Sequence, residues 1–160
     1  MMNTLSESNS SAEGIISVEG GKFLSFFLGE EEYAIEILKV QEIIGVTAIT
    51  PVPKMPAFID GIINLRDKIV PVINLRKRFK LPPADHTEDT VMIVLRQGEE
   101  LRAILVDRVS EVADIKKEQI EQIETACSNI ETKFLLGLGN IEGVIKLILN
   151  VEVVAFGFEI

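Results

Sequence analysis

Few residues in this chain have the type and spacing that catalysis needs. The single histidine, His86, sits in a proline-rich stretch among acidic neighbours, where it reads as a solvated linker side chain. The single cysteine, Cys127, excludes an internal disulfide. It fits a reducing compartment and reads as a small, partly buried residue. Asp107-Arg108 could form a charged site, although an ion pair at a strand end is the commoner meaning of such a pair. Gly137-Leu138-Gly139 is too short for a dinucleotide fingerprint, and the chain has no CxxC, HExxH, phosphate loop or GxSxG. Carboxylates are abundant, yet nothing sets one pair apart for acid–base work. No metal or cofactor is expected. The alternative to a non-catalytic protein is an enzyme with an unrecognised carboxylate site.

The chain as a whole favours binding over chemistry. Its 160 residues suffice for one compact domain or two small lobes sharing a core. At 47% hydrophobic and 26% charged it is globular in composition. A net charge of −9 without a basic stripe argues against nucleic acid as a partner. No apolar run approaches the roughly 18 residues of a membrane span, so direct membrane insertion is not expected. The N-terminus lacks the basic-then-apolar order of a signal peptide, and the sequence reads as cytoplasmic.

The element around which the chain is organised lies at residues 61–75. Two β-branched runs flank Arg66-Asp67-Lys68, which predicts a hairpin of strands with little solvent on either face. A buried helix would give similar runs, but Pro71 would break it. The stretch recurs at residues 137–151, 76 residues later, with Gly61, Asn64 and Asn74 matched by Gly137, Asn140 and Asn150. An earlier pair, Gly29-Glu30-Glu31 and Gly98-Glu99-Glu100, recurs at an offset of 69, which lays Lys39–Ile43 on residues 108–112. Two such half-units suggest two small β modules packed together.

Around these anchors the sequence predicts a disordered tail over 1–21, rich in Ser, Asn, Glu and Gly, and a first β half over 22–80. A linker over 81–89 follows, then a second β half over 90–160 that ends in an apolar C-terminal segment. The first half carries strands at 22–28, 32–37 and 40–46, with a bulge or bend near Ile37-Leu38. Next come an extended crossover over 49–56, a helical turn at 56–58, the hairpin, and a short basic helical turn at 75–79. The second half carries strands at 90–96, 100–106 and 109–115, a short helix at 117–125, and the second hairpin. The C-terminal segment 152–160 is apolar enough to dock on the body.

Several segments, taken in order, resemble one family. These are Phe26-Phe27-Leu28-Gly29, Leu38-Lys39-Val40-Gln41-Glu42-Ile43, Ile49-Thr50-Pro51-Val52-Pro53, Gly61-Ile62-Ile63-Asn64-Leu65-Arg66 and Ile69-Val70-Pro71-Val72-Ile73-Asn74-Leu75-Arg76. With Val106-Asp107-Arg108-Val109 and the second hairpin they are similar to the CheW family of bacterial chemotaxis coupling proteins over about residues 22–151. The resemblance implies an all-β fold of two packed SH3-like five-stranded β-barrels with short helical segments. It implies a non-catalytic adaptor joining the cytoplasmic tip of chemoreceptors to the regulatory domain of a CheA-type histidine kinase, at membrane-associated receptor arrays. By the same resemblance Leu24, Ile37, Val40, Ile43 and Val109 line a receptor-binding groove between the barrels, with Glu42 beside it. Gly61, Asn64 and Arg66 form the coupling motif. Val40 and Val109 are counterparts in the internal repeat, so a pseudo-twofold would bring them to one interface. The chain departs from the family pattern in having Asp67 where a glycine is usual, and in its short, Phe-rich C-terminal segment.

Overall fold

The computed structural model describes residues 19–123 and 130–160. Most of the tail predicted over 1–21 lies outside them, as does Cys127. The chain runs β1 (Gly21–Leu28), β2 (Glu31–Glu36), a 3-10 turn (Ile37–Lys39), β3 (Val40–Gly45), β4 (Ile59–Leu65) and β5 (Lys68–Asn74). A single helical turn α1 (Leu75–Arg78) follows. Then come β6 (Val91–Gln97), β7 (Glu100–Val106), β8 (Arg108–Ile115), the two-residue β9 (Ile120–Glu121), β10 (Leu135–Ile141) and β11 (Val144–Leu149). The chain closes on a π-helical turn over Glu152–Phe156.

The strands form two sheets, in the orders β8-β1-β2-β11-β10-β9 and β3-β6-β7-β5-β4. Counterparts at the 69- and 76-residue offsets occupy matching places: β8 and β3, β1 and β6, β2 and β7, β11 and β5, β10 and β4. The repeat is therefore structural, and its two copies exchange strands. Each copy gives its first two strands to one sheet and the rest to the other: three from the first copy and, with the short β9, four from the second. The halves 22–80 and 90–160 thus do not correspond to the two sheets. The agreement reaches single residue pairs. Val72 pairs in parallel with Ala103, and its counterpart Ile148 pairs in parallel with Ala34. The amide of Asn74 donates to the Phe58 carbonyl at 2.8 Å, and the amide of Asn150 donates to the Phe134 carbonyl at the same distance.

Alternate residues on the inner strands serve two cores, which is why these runs are nearly continuous rather than alternating in polarity. One face of each sheet packs into a shared core that includes Leu24, Phe26, Tyr33, Ile93, Leu95 and Ile104. The other face of the five-stranded sheet buries Ile63, Val70, Val72, Met92, Val94 and Leu101. The opposite face of the six-stranded sheet buries the smaller set Phe23, Ala34, Ile115 and Ile148.

Two expectations need correction, the closed barrels and the helix over 117–125. Neither sheet closes into a barrel by strand pairing among the described residues; both are open, one with six strands and one with five. The bulge or bend expected near Ile37-Leu38 is a bend, a 3-10 turn that takes the chain out of one sheet and into the other. The helix expected over 117–125 is only a 3-10 turn, Lys117–Gln119, followed by β9; its last two residues lie outside the described ones. Ile120 and Ile123 gave too weak a helical period, and Ile120 instead pairs with Gly139. The apolar C-terminal segment docks as expected, with Val154 and Ala155 buried.

Candidate functional site

β3 and β8 stand at the ends of the two sheet orders, and each pairs through one edge only. An open edge with apolar side chains invites a partner. The 3-10 turn before β3 buries none of its residues and leaves Leu38 94% exposed. Ile37, Val40 and Val109 are half-buried and pack on the rim of the shared core. Ile43 on β3 is 43% exposed, and Val112 on β8, its repeat counterpart, is 53% exposed. Both edge strands show a register shift at equivalent places, next to Val40 in β3 and next to Val109 in β8. Leu24 differs from its expectation. It is 2% exposed, because its side chain packs into the shared core rather than at its rim.

Glu42 on β3 is ion-paired with Arg66 at the tip of the β4–β5 hairpin, so two residues singled out separately in the sequence form one unit. Arg66 is largely exposed, so the pair is worth at most about 1 kcal/mol and acts mainly by orientation. The tip is held by its own sequence. Arg66 and Asp67 adopt φ of 48° and 69°, two consecutive left-handed residues as a two-residue hairpin turn requires. The Asn64 side-chain oxygen accepts the Asp67 amide at 3.1 Å. In the second copy Glu142 and Gly143 have φ of 51° and 89°, and Asn140 accepts the Gly143 amide at 3.0 Å. Gly61 sits at a register shift of β4 with φ +150°, and a Cβ there would strike the Thr50 carbonyl. Thr50 belongs to the extended crossover and exchanges two 2.9 Å backbone hydrogen bonds with Ile62, which explains the glycine.

The charged groups read as possible chemistry have structural partners. The Asp107 carboxylate accepts the Gly29 amide at 2.7 Å and Arg76 Nη2 at 2.6 Å. Burial pushes its pKa up, but the Arg76 hydrogen bond, the Gly29 amide and the nearby positive charges together hold it below the ordinary value. Arg108 instead stacks on Phe27, 3.8 Å from the ring centre. His86 lines a cleft with Arg76 and Asp107 of about 20 Å³, room for a water molecule and no substrate.

Sequence reasoning missed several exposed apolar residues, among them Leu38, Ile69, Val112 and Ile145. Val112 could have been found as the repeat partner of Ile43. Ile69 and Ile145, at the starts of β5 and β11, are also counterparts and are 60% and 47% exposed. Leu38 carried no signal, since a leucine beside a bend reads as core.

Comparison with known proteins points to one family and one fold. Residues 22–155 match the family described as CheW-like domain. The chain is 41% identical to the chemotaxis protein CheW of Klebsiella aerogenes over 133 residues, covering 83% of this chain and 80% of that protein. It is 33% identical to the chemotaxis protein CheW of Helicobacter pylori, covering 82% and 79%. The structure superposes on that of the scaffolding protein TtCheW from Thermoanaerobacter tengcongensis with a TM-score of 0.78 at 33% identity, covering 84% of this chain and 92% of that one. A matched family over most of the chain, a shared fold and a site built from two exposed strand edges lead to one assignment: this chain belongs to the CheW family.

Proposed function

We propose that this protein is a non-catalytic chemotaxis adaptor that joins the cytoplasmic tips of chemoreceptors to the regulatory domain of a CheA-type histidine kinase. It works in the cytoplasm, at membrane-associated receptor arrays. The observation that carries this reading is the pair of repeat-equivalent edge strands. β3 offers Val40 and Ile43, and β8 offers Val109 and Val112; Val40 and Val109 pack against one shared core, and Ile43 and Val112 are exposed on the same two strands. An apolar strip between two open edges is suited to an amphipathic helix, which is the form of a receptor tip. Ile37 extends the strip, Glu42 and Arg66 give it a charged border, and Gly61 and Asn64 set the hairpin that aims Arg66. Leu24, in the shared core, is the cross-strand partner of Val112.

The kinase contact falls elsewhere, on the outward hairpins with their exposed Ile69 and Ile145. Each sheet is read as an SH3-like barrel. Glu42 lies on the first strand of its sheet and Arg66 follows the last, so their ion pair requires strong curling. The linker 81–89 then separates the two copies of the repeat, 22–80 and 90–160, rather than the two barrels.

The test is a titration of receptor-tip fragment into Val40→Glu and Val109→Glu. Each places a carboxylate against an apolar helix, which is strongly disfavoured, and each is expected to weaken receptor binding while kinase-domain affinity stays the same. Ile43→Glu and Val112→Glu, at more exposed positions, repeat the test without risk to the core. Loss of receptor binding from the β3 variants alone would place the receptor site on β3 and sink the shared groove.

A further inference from the structure

Lys146 on β11 is buried at 1% exposure, the only buried lysine or arginine among the described residues. It points into the six-stranded sheet. Its Nζ donates to Ser25 Oγ on β1 at 2.9 Å and to Glu111 Oε2 on β8 at 2.6 Å, and it is ion-paired with Glu32 on β2 at 3.2 Å. The other sheet has no such group. The repeat counterparts of Lys146, Ser25 and Glu32 are Val70, Val94 and Leu101, all in an apolar core. One interior is therefore oily, and its twin is closed by a charged group that reaches four strands.

The reach is what makes this arrangement informative. β11, β2, β1 and β8 are successive neighbours, and three strand spacings of about 4.8 Å would put β8 beyond a lysine on a flat sheet. The short contact to Glu111 ties the edge strand back across the curled sheet. β8 otherwise pairs only with β1, and that pairing is interrupted by the register shift beside Val109. On β3 the counterpart of Glu111 is Glu42, which is held by Arg66 from the hairpin tip rather than from within.

We propose that Lys146 is a positioning residue that fixes the edge strand β8, and with it the Val109 and Val112 wall, from inside the six-stranded sheet. That this wall meets a receptor rests on the function proposed above; the fixing of β8 does not. Lys146 is itself buried and is held by the buried Ser25 and the largely buried Glu32, so its amine is fixed in place where it meets Glu111, and losing that contact exposes part of the strand to local opening.

The test uses the full chain with Glu111→Gln, Lys146→Met and the double variant. Amide hydrogen exchange is followed strand by strand, with β3 as internal control. Glu111 has a side chain 58% exposed, so Glu111→Gln is expected to fold normally and carries the test even where Lys146→Met does not fold. The expected result is exchange in β8 about tenfold faster in Glu111→Gln and at least as fast in Lys146→Met, with β3 unchanged. The double variant is expected to loosen β8 no further than Lys146→Met alone, because the two residues act through one bond. Wild-type exchange in β8 of Glu111→Gln, or equal loosening of β3 and β8, would overturn the proposal. Receptor-tip titration of the same variants separates the two readings. A loosened β8 with weaker receptor binding supports both, whereas a loosened β8 with unchanged binding leaves the strut standing and refutes the groove.

Discussion

Asp67 holds a conformation that its repeat partner Gly143 adopts freely. An L-residue in the left-handed region costs roughly 1–2 kcal/mol, and aspartate is among the more tolerant. The Asn64 bond to the Asp67 amide uses the backbone, so it does not depend on the Asp67 carboxylate and remains available to glycine. Asp67→Gly is therefore expected to be neutral or to raise stability by up to about 1 kcal/mol in a urea titration, and a clear loss would show that the two turns differ. Asp107 makes a second prediction. Its folded pKa lies below its ordinary value of 3.8, so it contributes stability above that value and loses the contribution as pH falls through the lower folded value. Asp107→Asn is expected to be less stable than the parent near neutral pH, with the gap narrowing as the medium becomes more acidic than about pH 4. A gap that stays constant down to acid unfolding would show that the carboxylate charge is unimportant. Both sites were partly visible in the sequence. The Asp67 strain could be read once Gly143 was aligned with it, whereas nothing near Asp107 announced Arg76 as its partner, because the two meet only in the folded chain. Leu24 shows the opposite limit: a motif assigns a residue to a strand face, but its depth depends on what covers that strand.

The hairpins, their turns and the short helix α1 were legible because each is fixed by local chemistry. Asn74 accepts the Lys77 amide at 3.2 Å as the cap of α1, and Asn150 accepts the Val153 amide at 3.3 Å at the π-helical turn. The form of the C-terminal segment was less legible, since a mostly apolar stretch after Asn150 announces burial without saying what receives it. The receiver is α1. Arg78 lies 4.3 Å from the ring centre of Phe58, 4.8 Å from Phe134 and 5.0 Å from Phe158. It also donates to the carbonyls of Val153 at 2.9 Å and Val154 at 3.2 Å. Phe158 meets Phe58 edge-on with ring centres 4.8 Å apart. One arginine thus latches the terminal segment to both copies of the repeat. Arg78→Ala is expected to cost about 2–3 kcal/mol and to open residues 152–160 to carboxypeptidase, while β3 and β8 remain protected. Unchanged trimming of the C-terminus would show that Val154 and Ala155 hold the segment by burial alone.

At the scale of the molecule, the internal repeat disclosed which strands are equivalent but not which ones pair. A 69- or 76-residue offset is the same whether each copy makes its own sheet or the copies exchange strands. Exchange follows from the two bends after β2 and β7: the 3-10 turn at Ile37–Lys39 and the single residue Asp107, each sending the chain into the opposite sheet. Exchange also makes the molecule nearly symmetric, with Ile69 and Ile145 presented on equivalent hairpins. Neither contributes to the three cores, so both are free to meet a partner. A contact centred on such residues gains mostly from apolar burial, with the surrounding charges setting rate more than affinity. A standard interface buries roughly 1,600 Å² in total, more than one exposed isoleucine and its neighbours provide, so each hairpin anchors a contact that must spread over its sheet. Ile69→Glu and Ile145→Glu are each expected to lower affinity for the kinase regulatory domain about tenfold, leaving receptor-tip affinity unchanged. Raising salt from about 0.05 M to about 0.3 M is expected to slow association while changing the parent's affinity by less than about threefold. Kinase binding that vanishes over that range, with both isoleucine variants behaving like the parent, would assign the contact to charge. It would then have to lie on surface away from these hairpins.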